Sequence, residues 1–357
     1  MLDRREFLET LGGGVLVLVA PASGASHDPF PPQLAAWLHI AQDGAVTVYT
    51  GKVECGQGPR TSLAQAVAEE LRTPLGGIRL IMGDTDQTAY DMGTFGSRST
   101  PYMAPQLRKA GAAARELLVD LAAQRWNVDR AGLVAGGGKV ANPRTGQSAS
   151  YGELADGKKL MATIAADVAL TPPDQWKVMG TPAPKVNAEA IVTGRHRYPS
   201  DMKLDGMLYG RVVRPSSFGA KLTSADTSHA EAMAGVQVVR EGDFLGVVAP
   251  HPRTAKRAAA AIKAQWSETA QPSADEIFDY LKNHEEAKAR PEVERGAVAK
   301  GLAEAEIRLK ETYTVAYIAH CPLEPRAAVA EWRDGRYFYC CYIQHEIVNS
   351  LIPSFAL

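Results

Sequence analysis

Hydrophobic and polar positions change period several times within the first third of the chain. Residues 46–53 (VTVYTGKV) are rich in β-branched side chains and residues 78–82 form a short apolar run, so both predict strands. Between them, apolar residues recur about every fourth position, which predicts an amphipathic helix over residues 62–72. A second apolar stripe predicts a helix from about residue 105 to 126. Strands and helices therefore share this part of the chain.

The second half of the chain has the pattern of a compact α+β module. A linker is predicted before it, at residues 170–186, where the sequence contains four prolines. Strands are predicted at 188–198, 207–214, 235–240 and 244–249, followed by an alanine-rich helix at about 253–266. Residues 273–300 are charged and helix-prone, and residues 305–332 return to the alternation of a strand.

The composition narrows the classes of protein to which the chain can belong. It has 357 residues, of which 45% are hydrophobic and 22% charged, as in a globular protein of two or three domains. The net charge of -1 gives no sign of a nucleic-acid partner or an anionic membrane. The four cysteines include no CxxC pair, so neither a disulfide framework nor a zinc site is expected.

The N-terminal residues have the pattern of an export signal. An arginine pair at 4–5 precedes Phe-Leu, a short apolar run follows at 11–19, and small residues occupy 20–25. This pattern resembles a twin-arginine signal, so residues 1–26 are predicted to direct the protein to the periplasm. The run is too short and glycine-rich to span a membrane, so an integral membrane protein is not expected. A chance arginine pair before an apolar core helix is the alternative.

A glycine–glutamine–glycine turn separates the first predicted strand from the first helix. Gly56 and Gly58 allow the backbone to approach a ligand closely, and Gln57 between them offers both donors and an acceptor. Thr61 and Ser62 follow at the predicted start of the helix, where free N–H groups and the helix dipole favour an anion. The turn is therefore a candidate anion site.

A second cluster of glycine and hydroxyl residues follows at Gly96, Ser97 and Ser99. If the two loops meet, they can hold a phosphate and a polar ring system. Neither loop has the spacing of a P-loop or of a dinucleotide-binding motif, so ordinary capped turns remain the alternative. Ser62 and Gln65, for example, have the spacing of a capping box.

Four motifs around these loops occur in a characteristic order. They are GKVECGQG at 51–58, AQAVAEEL at 64–71, MGDTD at 82–86 and GTFGSRS at 93–99. Together they resemble the molybdopterin-binding large subunit of the xanthine dehydrogenase/aldehyde oxidase family. More narrowly, they resemble the branch of that family formed by the exported beta subunits of isoquinoline 1-oxidoreductases.

Further motifs extend the resemblance along the chain. VTGRHRYPSD at 192–201, GML at 206–208, VVRP at 212–215 and ADT at 225–227 resemble the a/b hammerhead domain, and YIAHCPLEP at 317–325 resembles the opening of the large molybdenum-binding domain. The resemblance implies an α+β fold. Its parts are a molybdopterin-binding segment at 27–180, the hammerhead domain at 186–268 and the start of the molybdenum-binding domain at 269–335.

The resemblance also implies a cofactor and a reaction. The cofactor is molybdopterin carrying molybdenum, in bacteria commonly as the cytosine dinucleotide, and its dithiolene holds the metal, so no metal-ligating residues are expected in the protein. The implied cofactor contacts are Gly56, Gln57, Gly58, Gly96, Ser97 and Ser99, with Thr61 and Thr94 as secondary candidates. The implied reaction is oxidative hydroxylation of an N-heteroaromatic compound or an aldehyde, with oxygen from water. Electrons pass to a small iron–sulfur subunit with 2Fe-2S clusters, and then to a cytochrome or another acceptor.

The end of the sequence departs from the family pattern. Residues 336–357 hold five of the 25 aromatic residues and two of the four cysteines, and are predicted to be an aberrant tail. The family's catalytic glutamate lies in a later segment, so no catalytic residue is assigned and the chain alone is expected to be inactive. A truncated non-catalytic product, or a secreted scaffold without cofactor, is the alternative function.

Four other residues are interpreted as structural. Cys55 beside the first loop is expected to be a small buried side chain. Asp84 and Asp86 are too few oxygen ligands for calcium, so a loop cap is expected there. Glu324 is expected to be a carboxylate at a domain entry, with a role in a substrate channel as the alternative.

Overall fold

The computed structural model describes most of the chain between residues 13 and 341. The described residues are 13–18, 36–84, 86–89, 91, 93–162, 164, 167–284, 295–318, 321, 323–324, 326–333 and 336–341. The chain divides into two compact units, one formed by Met1–Met202 with Cys321–Leu357 and the other by Lys203–His320.

Both units contain strands and helices. The described strands are β1 (Gly14–Leu18), β2 (Ala36–Ala41), β3 (Val46–Thr50), β4 (Ile78–Met82), β5 (Val134–Gly136), β6 (Lys139–Ala141), β7 (Ser148–Ser150), β8 (Lys159–Ala162), β9 (Tyr209–Val212), β10 (Lys221–Asp226), β11 (Gln237–Glu241), β12 (Phe244–Ala249), β13 (Lys263–Ser267), β14 (Ala328–Arg333) and β15 (Arg336–Cys341). The described α-helices are α1 (Pro59–Leu71), α2 (Ala104–Trp126), α3 (Tyr151–Ala155), α4 (Ala188–Val192), α5 (Ser228–Glu231), α6 (Pro252–Ala261), α7 (Ile277–Asn283) and α8 (Val298–Glu304). The α+β fold class expected from the sequence is confirmed.

A five-stranded sheet with two helices on one face forms the core of the first unit. Its strand order is β4-β3-β2-β1-β8, with β3–β4 and β1–β8 parallel and the other neighbours antiparallel. Helix α1 connects the parallel strands β3 and β4, as such a pair requires. Apolar side chains of α1 and α2 pack on the sheet; they include Leu63, Val67, Leu71, Leu107 and Leu118, all fully buried. The predicted strands β3 and β4 and the two predicted helices are thus confirmed.

Helix α1 begins at Pro59, three residues before the predicted start. Pro59 occupies the first helical turn, where its missing N–H is not needed, and Gly58 is the N-cap with φ 90°. The predicted capping box is therefore wrong. The Ser62 hydroxyl bonds to the carbonyl of Pro59 and to Thr100, and the Gln65 amide donates to the carbonyls of Val178 and Thr181.

The segment at 170–186 is bound to the first unit and is not a linker between the two units. One carboxylate oxygen of Glu69 accepts the backbone amides of Lys177, Val178 and Met179 at 2.6–2.9 Å. The neighbouring Glu70 accepts the amide of Thr171 at 3.0 Å. These buried acids of α1 hold the segment in place together with Gln65 and Thr61 of the same helix. The boundary between the units falls after residue 202.

Glu70 is also the centre of a buried ion cluster between α1 and α2. Arg108 lies 2.6 Å from one of its oxygens and Arg115 lies 3.4 Å from the other. The Glu70 side chain is fully buried and that of Arg115 is 7% exposed. Glu70 thus has both arginines as partners, and Arg115 is also paired with Glu116 at 2.9 Å.

The second unit contains two small sheets and helix α6. Strands β11, β12 and β9 form one antiparallel sheet, and β10 and β13 form the other. The predicted strands at 207–214, 235–240 and 244–249 are confirmed. Helix α6 ends at Ala261 and not at Trp266, because residues 263–267 pair with β10 instead. The names given to the domains stay predictions.

Two predicted strands are wrong or only partly right. The first predicted strand, at 188–198, contains helix α4, which lies in the first unit. The alanine and glutamate residues at the start of α4 favour a helix, and this preference outweighs the strand preference of the β-branched residues that follow. The second, at 305–332, forms a strand only from residue 328 onward. Its apolar side chains at Leu309 and Tyr313 are each 88% exposed, because no strand among the described residues pairs with this stretch.

The predicted break at residue 336 falls inside a hairpin. Strands β14 and β15 pair in antiparallel register from Ala328 with Cys341 to Arg333 with Arg336. Strand β15 therefore begins at the residue where the aberrant tail is predicted to begin, and it is paired in register with β14. The rest of that tail, after residue 341, lies outside the described residues.

The apolar run predicted to belong to an export signal contains strand β1. Val15 and Val17 are fully buried among the side chains of α1, α2 and β2. The arginine pair and the small residues at 20–25 lie outside the described residues, so export itself stays a prediction.

Candidate functional site

The two glycine-containing loops lie side by side at the end of β3. The buried ammonium of Lys52 is 2.7 Å from the Asp91 carboxylate and donates to the carbonyl of Gly93 at the same distance. Next along the chain, the Val53 amide donates to the Thr94 hydroxyl at 2.8 Å. The meeting of the two loops, on which the candidate site depends, is therefore present in the structure.

An anion does occupy the start of helix α1, and it is a side chain of the same loop. One oxygen of Glu54 accepts the amides of Gly56 and Gly58, both at 2.9 Å, and the other accepts the amide of Arg60 at 3.1 Å. The amides of Gly58, the N-cap, and Arg60, in the first turn, are among the free donors that a helix N-terminus presents to an anion. A phosphate could reach the Gly56 and Gly58 amides only by displacing Glu54.

The close backbone contact expected at Gly56 is made with another segment of the same chain and not with a ligand. With φ 88°, it lies against Leu323, whose Cβ would be 2.7 Å from any side chain added at Gly56. The amide of Glu324 donates to the carbonyl of Cys55 at 3.0 Å in the same contact. The absence of a side chain at Gly56 is thus explained by packing, without a ligand.

Gln57, at the tip of the turn, is exposed. Its side-chain oxygen accepts the Cys55 amide at 2.6 Å, and this bond does not use its NH2 group. Of the three residues in the turn, Gln57 is the one that presents polar side-chain atoms to a ligand.

The second loop also presents polar groups at the surface. Gly96 and Ser97 both have positive φ, 62° and 56°, and both are exposed. Ser99 is half-buried and begins a π-helical turn, Ser99–Met103, that leads into α2. Thr100 in that turn is 2.8 Å from the Ser62 hydroxyl of α1, which joins the two loops a second time.

The secondary candidates Thr61 and Thr94 are both buried and both bond to the chain itself. Thr61 accepts the amide of Val186 at 3.1 Å, and Thr94 accepts the amide of Val53. Their hydroxyls therefore fasten segments of the first unit together. Their assignment as cofactor contacts is not supported by this geometry.

A pocket of about 230 Å³ lies beside the turn. Glu54, His196 and Glu324 are among the side chains that line it. Burial raises the pKa of the Glu324 carboxyl above its usual value; nearby His196 opposes this shift and Glu54 adds to it. Glu324 thus lines a pocket of the first unit as well as contacting the turn.

A larger cleft of about 540 Å³ is lined by Arg60, Arg79 and Lys185 among other residues. The Arg60 guanidinium donates to the carbonyl of Leu80, and burial lowers its pKa while Glu54 opposes that shift. The Lys185 ammonium donates to the carbonyl of Gly56. Sequence reasoning missed this positively charged cleft and the role of Glu54, although an acid just before a predicted helix is a recognisable signal.

The interpretations of Cys55 and Asp84 are confirmed. Cys55 is 4% exposed, and its thiol donates to the carbonyl of Val53 at 3.5 Å. Asp84 accepts the amide of Asp86 at 3.0 Å and the side-chain amide of Gln87 at 2.6 Å, so it caps its loop. Within the described part of the chain, no three His, Cys, Asp or Glu side chains come together as metal ligands would. No described helix is both long and apolar enough to cross a bilayer.

Comparison with protein families gives the context of these loops. A family model described as a molybdopterin cofactor-binding domain matches residues 3–193, and a second model of the same description matches residues 280–351. The first match contains both loops, and the second includes residues 336–351. The second match thus extends past residue 336, where the aberrant tail is predicted to begin, and the assignment of 336–357 as a tail stays a prediction.

Three curated relatives are similar to almost the whole chain. A nicotinate dehydrogenase subunit of Pseudomonas putida is 33% identical, with 90% of this chain and 29% of that protein covered. The membrane-bound pyrroloquinoline-quinone aldehyde dehydrogenase of Gluconacetobacter polyoxogenes is 30% identical, with 94% of this chain and 47% of that protein covered. The beta subunit of isoquinoline 1-oxidoreductase from Brevundimonas diminuta is 26% identical, with 92% of this chain and 50% of that protein covered.

The chain thus spans half or less of the length of these relatives. The family model at 3–193 covers more than half of this chain and contains every predicted cofactor contact. The chain therefore belongs to the molybdopterin cofactor-binding proteins, among the molybdenum-binding subunits of the xanthine dehydrogenase family.

Proposed function

We propose that the chain is the N-terminal part of a molybdenum hydroxylase large subunit. The reaction proposed is oxidative hydroxylation of an N-heteroaromatic compound or an aldehyde, with water as the source of oxygen. The observation that carries the proposal is the pair of molybdopterin cofactor-binding matches, at 3–193 and 280–351, in one chain. The relatives named for nicotinate, isoquinoline and aldehyde oxidation support the substrate class.

The cofactor proposed is molybdopterin cytosine dinucleotide carrying molybdenum. When bound, it supplies the metal centre at which the substrate is oxidised, while the protein binds and orients it. Gln57, Ser97 and Ser99 offer side-chain hydrogen bonds at the joined loops, and Gly96 leaves the second loop open beside them. These groups fit the polar edge of a pterin.

Gly56 and Gly58 fit the cofactor less directly. Their amides are held by Glu54, so they contribute to binding by setting the shape of the turn that presents Gln57. The cleft lined by Arg60, Arg79 and Lys185 offers positive charge for a phosphate, and none of the described residues that line it is acidic. The predicted contacts at Gly56 and Gly58 therefore become supporting positions in the proposal.

The proposed partners are a small subunit with 2Fe-2S clusters and a cytochrome or similar acceptor. Two of the relatives are named as subunits, which supports assembly with other chains. The twin-arginine pattern supports a periplasmic location.

The test uses the complete subunit, purified with its co-purifying chains from the cells that produce it. Molybdenum is measured by elemental analysis, cytosine nucleotide by release from the cofactor, and the clusters by electron paramagnetic resonance. Reduction of a dye is then followed with nicotinate, isoquinoline and an aliphatic aldehyde. A folded complex with neither molybdenum nor pterin would refute the proposal.

A matched pair of variants tests the role of the turn. Gln57→Ala is expected to lower the molybdenum content several-fold, because it removes the side-chain donors at the tip of the turn. Gln124→Ala makes the same change at an exposed position of α2 and is expected to leave the content unchanged. Equal molybdenum content in the two variants would show that Gln57 does not bind the cofactor.

A further inference from the structure

The residues at 13–18, which lie in the predicted export signal, are hydrogen-bonded into the five-stranded sheet on both sides. Strand β1 pairs antiparallel with β2, from Gly14 with Ala41 to Leu18 with Ala36. On its other edge it pairs in parallel with β8, from Gly14 with Lys159 to Val17 with Ala162. It is therefore an interior strand of the sheet.

Both faces of β1 are covered by other side chains. Val15 and Val17 are fully buried in the main core, on the face that carries α1 and α2. Leu16 is 2% exposed and packs with Tyr49 on the opposite face. A strand buried on both faces is expected to be a continuous apolar run. The apolar run that predicts an export signal is therefore equally typical of an interior strand.

The glycines before this run are explained by the sheet. Gly14 has φ 142°, and a Cβ atom added to it would overlap the carbonyl oxygen of Ile40. A Cβ atom on Gly13 would overlap the carbonyl oxygen of Gly157. An export signal makes no such demand, because its apolar segment accepts alanine as well as glycine.

Strand β8 is joined to the sheet through β1. The strand order β4-β3-β2-β1-β8 places β1 between β2 and β8, so loss of β1 would leave two unpaired strand edges around an apolar slot. The family match begins at residue 3, so it treats these residues as part of the cofactor-binding domain. Cleavage anywhere in the small-residue segment at 20–25 would cut β1 off from the chain.

We propose that residues 13–18 remain in the mature folded protein as strand β1. The N-terminal segment is then a structural element of the cofactor-binding domain, whether or not its arginine pair is also read by an export machinery. Folding buries the apolar run, so an export machinery that recognises it must bind it before β1 pairs with β2 and β8. Removal of the segment after folding would open the sheet.

The first test determines the N-terminus of the folded protein from the cells that produce it. Mass spectrometry is expected to find the peptide that contains residues 13–18, either in the chain or held by it, and hydrogen exchange is expected to protect its amides as strongly as those of β2. A folded protein that starts after residue 19 and holds no such peptide would overturn the proposal. So would a retained peptide whose amides exchange as fast as those of an open chain.

The second test adds one methyl group at Gly14, which an interior strand cannot accommodate and an export signal can. Gly14→Ala is expected to lower the melting temperature by at least about 5 °C, or to prevent folding, because the added methyl meets the Ile40 carbonyl. An export signal would tolerate this change, since alanine is apolar and favours a helix. Gly76→Ala is the control: a Cβ atom there meets nothing within 4 Å, and its melting temperature is expected to stay at the wild-type value. Equal melting temperatures for the two variants would overturn the proposal.

Discussion

The carboxylate of Glu54 accepts the backbone amide of Gly58 at 2.9 Å, at the start of helix α1. The same carboxylate holds the amides of Gly56 and Arg60. The turn between β3 and α1 is thus closed by its own anion, and its shape does not require a bound phosphate.

Replacing Glu54 is expected to destabilise the turn. Glu54→Ala leaves three backbone amides without their acceptor and should lower the free energy of unfolding by about 1–3 kcal/mol. Glu54→Gln keeps one neutral acceptor oxygen and should cost less, because charge-assisted bonds are the stronger ones. Urea unfolding measures both, with Glu304→Ala on an exposed helix as the control. Equal stability of the Glu54→Ala and Glu304→Ala variants would contradict the assigned role of Glu54.

The two glycines of the turn are expected to differ when each is changed to alanine. Both have φ near 90°, so both substitutions introduce backbone strain of about 1–2 kcal/mol. Gly56→Ala also brings a methyl group to 2.7 Å from Leu323, whereas the nearest atom at Gly58 is 3.9 Å away on Lys185. Thermal unfolding should therefore show a larger loss for Gly56→Ala, and the reverse order would refute the packing explanation.

The buried ion cluster between α1 and α2 is expected to be sensitive to the loss of Glu70. Glu70→Ala removes the carboxylate that both Arg108 and Arg115 contact, although Arg115 keeps Glu116 at 2.9 Å. The free energy of unfolding should therefore fall by about 3 kcal/mol, the lower end of the range for a broken buried ion pair. Lys300→Ala, which removes an exposed pair with Glu304, should change it by less than about 1 kcal/mol. Denaturant unfolding of both variants makes the comparison, and similar losses would show that the Glu70 cluster contributes no more than a surface pair.

Glu69 is expected to control the protection of the segment at 170–181. Its carboxylate holds the amides of residues 177–179, so Glu69→Ala should release this stretch and raise the rate of tryptic cleavage after Lys177 at least several-fold. Cleavage after Lys139, in the small sheet of β5, β6 and β7, serves as the internal control. An unchanged rate at Lys177 would mean that other contacts hold the segment.

The raised pKa of Glu324 predicts a dependence of stability on pH. Because burial and Glu54 disfavour the ionised carboxylate while His196 favours it, the contribution of Glu324 to stability is full below its unfolded pKa and is lost as pH rises through the raised value. Glu324→Gln removes this loss. Its melting temperature relative to wild type should therefore be higher at about pH 7 than at about pH 4. Glu304→Gln at an exposed site should show no such trend, and a flat difference for Glu324→Gln would contradict the predicted shift.

Local patterns predict the elements around the candidate site well. The four-residue period of α1 and the apolar runs of β3 and β4 give those elements to within a few residues, because each element buries one face on a common core. The start of α1 is missed because Ser62 resembles a cap, whereas Pro59 and Gly58 set the actual start. The partner of an element is not a local property, which is why the stretch at 305–318 is predicted as a strand and is not one.

The sequence by itself determined the family, the order of the motifs and the places where glycines and hydroxyls gather in two loops. These follow from residue identity and spacing, which can be read without knowing what lies nearby. Only the tertiary structure decided that Glu54 is the anion at α1, that Gly56 lies against Leu323, and that residues 14–18 lie between β2 and β8. In each case the deciding contact is made by a residue that is close in space but distant or unmarked in the sequence. An anion site, a tight turn or an apolar run therefore has the same local sequence pattern whichever group contacts it.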